Sequence, residues 1–161
     1  MTKLRLFVDS GFFIGFKDAR DSHHNKACII WDELIDKDLI SGFEDLYISD
    51  YIIVEVFHKL QKGIKFHETL KYYEELKHCK IYHLKPKDVD GAIHTKLKPF
   101  CNHKDGNPAI GLVDATNLQI MEILKIDYIL SFDGGYDRIP LCKRIGNEND
   151  IKEKILCWNF D

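Results

Sequence analysis

Short apolar runs alternate with amphipathic stretches of helical period along most of the chain. Leu4 to Val8 is a compact apolar run that stops at Asp9-Ser10-Gly11, which predicts a buried strand ending at the aspartate. Between Asn25 and about Leu39, Cys28, Trp31, Leu34 and Ile35 recur at helical spacing, and Ser41-Gly42 closes that helix. A second helix, capped by Ser49 or Asp50, carries Ile52, Ile53, Val56, Phe57 and Leu60 on one stripe and ends at Gly63. His67 to His78 reads as a further helix and Lys80 to Leu84 as a second strand. Pro86 then opens a helix toward Lys98, at the position where its missing N–H does least harm. Pro99 to Pro108 reads as a loop, Val113 to Lys125 as a helix, and Tyr128 to Phe132 as a third strand that stops at Asp133-Gly134-Gly135. Short strands alternating with helices imply an α/β fold with a mainly parallel sheet. The polar stretch Gly146 to Asp150 divides a domain over residues 1–146 from a C-terminal extension over 147–161, packed on or continuing it, with a strand or helix at Ile151 to Phe160.

Four acids interrupt this apolar pattern: Asp9, Glu55, Asp114 and Asp133. An isolated carboxylate in apolar surroundings is costly to desolvate unless a cation or several donors meet it. Asp9 and Asp133 fall where a strand gives way to a turn, the edge at which open α/β sheets collect ligands. Asp114 shares a helical arc with Ile110, Leu118 and Met121, so it faces inward, and Asn117 lies in the same arc. Each acid also has a plain structural reading. Aspartates favour turns, Asp114 is close enough to a helix start to serve its N–H groups, and Glu55 has Lys59 four residues on. Gathered together, however, carboxylates repel by roughly 1–4 kcal/mol per pair, and a divalent ion removes the repulsion. Oxygen-only ligation favours Mg²⁺ or Mn²⁺, ions suited to hydrolysis of a phosphodiester by water. Asp137 follows as a competing acid, expected to pair with Arg138 or to cap locally.

Composition narrows the alternatives. A chain of 161 residues, 45% hydrophobic and 30% charged, fits one domain with a sizeable core. No apolar run reaches the roughly 20 residues that cross a bilayer, and the N-terminus lacks a small-residue cleavage site, so a cytoplasmic location is expected. The five cysteines are widely spaced without a CxxC pair and read as reduced. The eight histidines make no helical ligand pair of the HExxH kind. A net charge of −3 does not advertise a nucleic-acid binder, although Lys59, Lys62 and Lys65, or Lys85, Lys87, Lys96 and Lys98, could form a basic rim.

The order and setting of the four acids resemble a PIN domain, the metal-dependent ribonuclease fold that includes the VapC-like toxins of prokaryotic toxin–antitoxin pairs. FVDSGFFIGF is similar to the family's first motif, DSHHNKA to the start of the next helix, and SDYIIVEVFHKL to the helix bearing the second acid. LVDATNLQIMEILKIDYILSFDGGYDRIPL is similar to the closing motif. The resemblance spans roughly Lys3 to Gly146. It implies a three-layer α/β/α architecture with a parallel sheet between helices, and a ribonuclease using one or two Mg²⁺ or Mn²⁺ ions. It implies that Asp9, Glu55, Asp114 and Asp133 are the acidic quartet, with Ser10 and Ser131 as helpers that orient a ligand or water. Phe132 separates Ser131 from Asp133, so either Asp133 or Asp137 is the fourth acid. The partners to consider are an RNA substrate, an antitoxin protein and a second copy of the chain. Some family members keep the fold as a non-catalytic RNA-binding or scaffolding part. A strand-end-aspartate phosphatase of the haloacid dehalogenase type would need a second aspartate where Gly11 stands.

Overall fold

A computed structural model describes residues 3–98, 110–140 and 142–156. Its strands are β1 (Leu6–Val8), β2 (Leu46–Ser49), β3 (Lys80–Tyr82), β4 (Tyr128–Leu130) and β5 (Lys143–Ile145). Its α-helices are α1 (Ser10–Lys17), α2 (His24–Asp36), α3 (Asp50–Gly63), α4 (Phe66–Leu76), α5 (Pro86–Ala92), α6 (Leu112–Leu124) and α7 (Glu148–Lys154). The strands form one parallel sheet in the order β3-β2-β1-β4-β5. Leu6, Phe7 and Val8 are fully buried, as are Ile129 and Leu130, because a parallel sheet is covered on both faces.

The chain steps outward from β1 to β2 to β3, then crosses back to β4 and β5. Right-handed crossovers running in opposite directions place their helices on opposite faces. The packing agrees: α1 contacts α2 and α3, α3 contacts α4, and α2 contacts α7, whereas α5 and the π-helical turn Ile93–Leu97 pack with α6. The direction of winding changes between β1 and β4. In such sheets the crevice outside the strand ends at that point is where ligands bind.

Three elements differ from the sequence expectation. The stretch Ser10 to Lys17 forms α1, although its two glycines weaken the helical reading. β2 exists although Leu46 to Ser49 runs straight into α3 without a break in the apolar pattern. β5 is an edge strand of which two of three residues are basic, so it carries almost no apolar signal. The expected third strand is therefore β4, and it ends at Leu130 rather than at Phe132. The helix opened by Pro86 runs through α5 into the π-helical turn, and the expected loop at Pro99 to Pro108 lies outside the described residues.

At the C-terminal end, α7 starts at Glu148. Asn147 caps it, accepting from the N–H groups of Asn149 (2.9 Å) and Asp150 (3.1 Å). Ile151 and Ile155 enter the same hydrophobic core as the sheet, and Lys154 donates from Nζ to the Arg144 carbonyl at 2.7 Å. No helix among the described residues is long and apolar enough to cross a membrane. Cys28, Cys79 and Cys142 are free thiols, and burial pushes Cys79 and Cys142 each up to about 12. Cys101 and Cys157 lie outside the described residues.

Candidate functional site

A cavity of about 300 Å³ opens at the carboxyl ends of β1 and β4, where the winding reverses. It is lined by Asp9, Ser10, Gly11, Glu55, Val113, Asp114, Phe132 and Asp133. All four acids singled out from sequence thus meet at one place, supplied by the end of β1, by α3, by the first turn of α6 and by the turn after β4.

Asp9 is the most enclosed of the four, at 8% exposure. It follows Val8 directly, and its N–H donates to the Leu130 carbonyl at 3.0 Å, which locks the strand end against β4. Its Oδ1 accepts from the Ser10 N–H at 2.9 Å and from Asn117 Nδ2 at 3.5 Å, and its Oδ2 accepts from Ser131 Oγ at 2.8 Å. A carboxylate has about four lone-pair sites, and with two bonds to Oδ1 and one to Oδ2 it is Oδ2 that keeps acceptor capacity. Burial pushes the Asp9 carboxyl up to about 6, the facing charges of Asp114 and Glu55 add to the rise, and the bonds from Ser131 and Ser10 oppose it.

Asp114 serves two purposes. Its Oδ2 accepts from the N–H of Gly111, the N-cap of α6, at 3.0 Å, so the helix-start reading is realised. Its Oδ1 accepts from the Tyr136 hydroxyl at 3.0 Å, and the side chain still lines the cavity. Burial raises its pKa, with contributions from the Asp133 and Glu55 charges. The Glu55–Lys59 ion pair that the spacing offered is not formed among the described residues, and Glu55 faces the cavity instead.

Behind the acids lies a residue that sequence reasoning passed over. Tyr136 is fully buried, donates to Asp114 and accepts from Asn117 Nδ2 at 3.0 Å. Through Asn117 it is linked to Asp9, so one buried hydrogen-bonded chain connects two acids from different elements. Burial, together with the Asp9 and Asp114 charges, holds the phenol well above its usual range, and it stays a donor. Only its place in the GGYDRIP turn marked it, and an aromatic there reads as core.

Asp133 and Asp137 occupy different environments. Ser131, the residue after β4, takes the position beside Asp9, and its Oγ also accepts from the Asp133 N–H at 3.1 Å. Asp133 sits one step beyond, capping the 3₁₀ turn Gly134–Arg138 through the Gly135 N–H at 2.7 Å while lining the cavity. Asp137 does not line it. Nor does it pair with Arg138: Arg144 on β5 holds it by two bonds, Nε to Oδ1 at 2.9 Å and Nη2 to Oδ2 at 2.6 Å. That fork depresses the Asp137 pKa.

Four carboxylates with hydroxyl and amide support, and no histidine or cysteine among the lining residues, make a hard oxygen donor set that fits Mg²⁺ or Mn²⁺. Beyond the effect of burial, the charges of Asp114 and Glu55 raise Asp9 and those of Asp133 and Glu55 raise Asp114, so negative charge is concentrated at the cavity. As they stand the side chains are open: among the described residues no three His, Cys, Asp or Glu groups already converge on one ion position, so binding requires them to draw inward.

Known proteins agree with this architecture. No curated protein matches the sequence. Among solved structures, the chain is similar to Mycobacterium tuberculosis VapC20, described as a sarcin-ricin loop cleaving toxin. The TM-score is 0.61 at 19% identity, covering 80% of this chain and 90% of that one. It is similar to a toxin–antitoxin complex from Klebsiella pneumoniae at TM-score 0.60 and 14% identity, covering 87% and 95%. PAE2754 from Pyrobaculum aerophilum gives 0.56 at 13% identity, covering 88% and 89%. At these identities the likeness is one of fold. The family model described as PIN domain matches residues 6–141, which takes in every acid at the cavity, and the chain belongs to the PIN domain family.

Proposed function

We propose that this protein is a ribonuclease that hydrolyses RNA phosphodiester bonds with Mg²⁺ or Mn²⁺ held by Asp9, Glu55, Asp114 and Asp133. The observation that carries this reading is the convergence of four acids from four separate elements on one cavity at the winding reversal of the sheet. When bound, such an ion supplies the charge that attracts a phosphate oxygen and lowers the pKa of a water. The chain's own groups supply position. Ser131 and the Ser10 N–H fix both oxygens of Asp9, Tyr136 and the Gly111 N–H fix both oxygens of Asp114, and Asn117 keeps the two in register. Val113 and Phe132 give the cavity two apolar walls. In the reaction a water oxygen forms the new bond to phosphorus, the bond to one ribose oxygen breaks, and the water's proton is balanced on the departing oxygen.

A non-catalytic RNA-binding role is the other reading open to the family. It gives no reason to keep four carboxylates facing a cavity where their charges raise the proton affinity of Asp9 and Asp114 and would repel a phosphate. Likeness to a toxin–antitoxin complex supports regulation by an antitoxin protein. The test is RNA incubated with the protein in Mg²⁺, in Mn²⁺ and in EDTA. Cleavage should need the metal, and Asp9→Asn and Asp114→Asn should abolish it in folded proteins. Full cleavage in EDTA, or by either variant, would refute the reading.

A further inference from the structure

His24 and Cys28 stand four residues apart at the start of α2, so their side chains share one face of the helix. Cys28 Sγ lies 3.8 Å from His24 Nε2, within hydrogen-bond reach for sulfur. The other ring nitrogen, Nδ1, is 2.8 Å from the Gly15 carbonyl. A carbonyl oxygen only accepts, so Nδ1 carries the proton, and the neutral ring presents the lone pair of Nε2 to the thiol. Gly15 is among the last four residues of α1, whose carbonyls run out of helical partners, and His24 fills that need. A side chain at Gly15 would press on His23 Cβ at 3.3 Å, so a glycine there suits the close start of α2 against α1.

The three thiols among the described residues are therefore unequal. Burial pushes Cys79 and Cys142 each up to about 12, so both stay protonated near neutrality. Cys28 is only partly buried, and of the three it alone has an imidazole against its sulfur. A nucleophile, a base in contact with it and a third group that fixes the base are the parts of an activated thiol. They do not make a metal site: among the described residues no three His, Cys, Asp or Glu side chains converge on one ion position.

We propose that Cys28 is a peroxide-reactive thiol with His24 as its base, and that its product is a sulfenic acid near the start of α2. As the sulfur attacks one oxygen of hydrogen peroxide, the S–H proton passes to Nε2, an S–O bond forms and the O–O bond breaks. The proton on Nε2 then goes to the departing hydroxide. Cys28 thiol and peroxide thus give Cys28 sulfenic acid and one water, with sulfur oxidised and peroxide reduced. Neither side chain lines the acid cavity, so this site stands apart from the ribonuclease reading and does not rest on it.

The test exposes the full chain to hydrogen peroxide at pH 7 with dimedone present to trap sulfenic acids, and follows each cysteine by peptide mass spectrometry. Cys28 should be labelled well ahead of Cys79 and Cys142. His24→Asn keeps a donor for the Gly15 carbonyl at the place of Nδ1 but has no Nε2. It should slow labelling of Cys28 by roughly 3- to 30-fold. The ceiling follows because an ordinary thiol is only about 3% thiolate at pH 7, so complete ionisation gains about 30-fold. Equal rates for Cys28 in the two proteins, or labelling of Cys28 later than Cys79 and Cys142, would overturn the proposal. A second measurement needs no variant. With iodoacetamide at pH 7, Cys28 in the folded chain should react faster than the same cysteine in the chain unfolded in urea, although folding partly buries it. A folded rate equal to or below the unfolded one would remove the assistance from His24, and the proposal with it.

Discussion

Replacing Asp9 by asparagine should stabilise the metal-free protein, and by an amount that depends on pH. The Asp9 carboxyl titrates at about 6 in the folded protein against an ordinary value of 3.8. Between those values the folded chain holds a proton that the unfolded chain has lost, so wild-type stability falls as pH rises through the window. The displacement corresponds to about 3 kcal/mol, of which ~2 kcal/mol develops between about pH 4.5 and about pH 7.5. Asparagine does not titrate. Its amide oxygen can still accept from the Ser10 N–H, and the poorer partner it offers Ser131 is a pH-independent cost of about 1 kcal/mol in the variant, so the pH dependence comes from wild-type Asp9 alone. Urea unfolding of both proteins in EDTA should therefore show the variant gaining ~2 kcal/mol on wild type between the two pH values. Mn²⁺ should reverse the order at the higher pH, since an ion at one hundred times its Kd adds about 2.7 kcal/mol to the protein that binds it. A difference that does not change with pH, or one that moves against the variant as pH rises, would refute the reasoning.

Tyr136→Phe keeps the buried ring but removes the hydroxyl between Asp114 and Asn117, and should cost about 1–3 kcal/mol in urea unfolding. Unchanged stability would show that the buried chain of hydrogen bonds is dispensable. Asp133→Asn should lower Mn²⁺ affinity, measured calorimetrically, far more than Asp137→Asn, because Asp137 is engaged by Arg144 away from the cavity. The reverse order would move the site to Asp137.

The four acids were legible because each stands out against apolar neighbours, a contrast that burial imposes on any chain. The strand end at Asp9 and the inward arc of Asp114 then follow from periods of 2 and 3.6, whereas Asp133 lies in the turn beyond β4, which ends at Leu130. What holds the acids was harder to see. Tyr136 reads as an ordinary core aromatic, since nothing in a local pattern shows where a phenol oxygen points. The Asp137–Arg144 fork depends on β5, whose basic residues conceal a strand. β2 was hidden for a different reason: its apolar residues merge with those of α3, and the boundary between a period of 2 and one of 3.6 is blurred over only four residues. Even so, the parallel α/β class survived these omissions, because the recognised strands and helices already alternate.

Crystals grown without metal and soaked in Mn²⁺ would test the central claim most directly, through anomalous scattering at the manganese edge. The account predicts a peak inside the cavity in direct contact with carboxylate oxygens of Asp9 and Asp114, with Asp133 and Glu55 drawn toward it, and no such peak in Asp9→Asn. A cavity that stays without a peak at saturating Mn²⁺, or a peak coordinated by residues elsewhere on the chain, would contradict it.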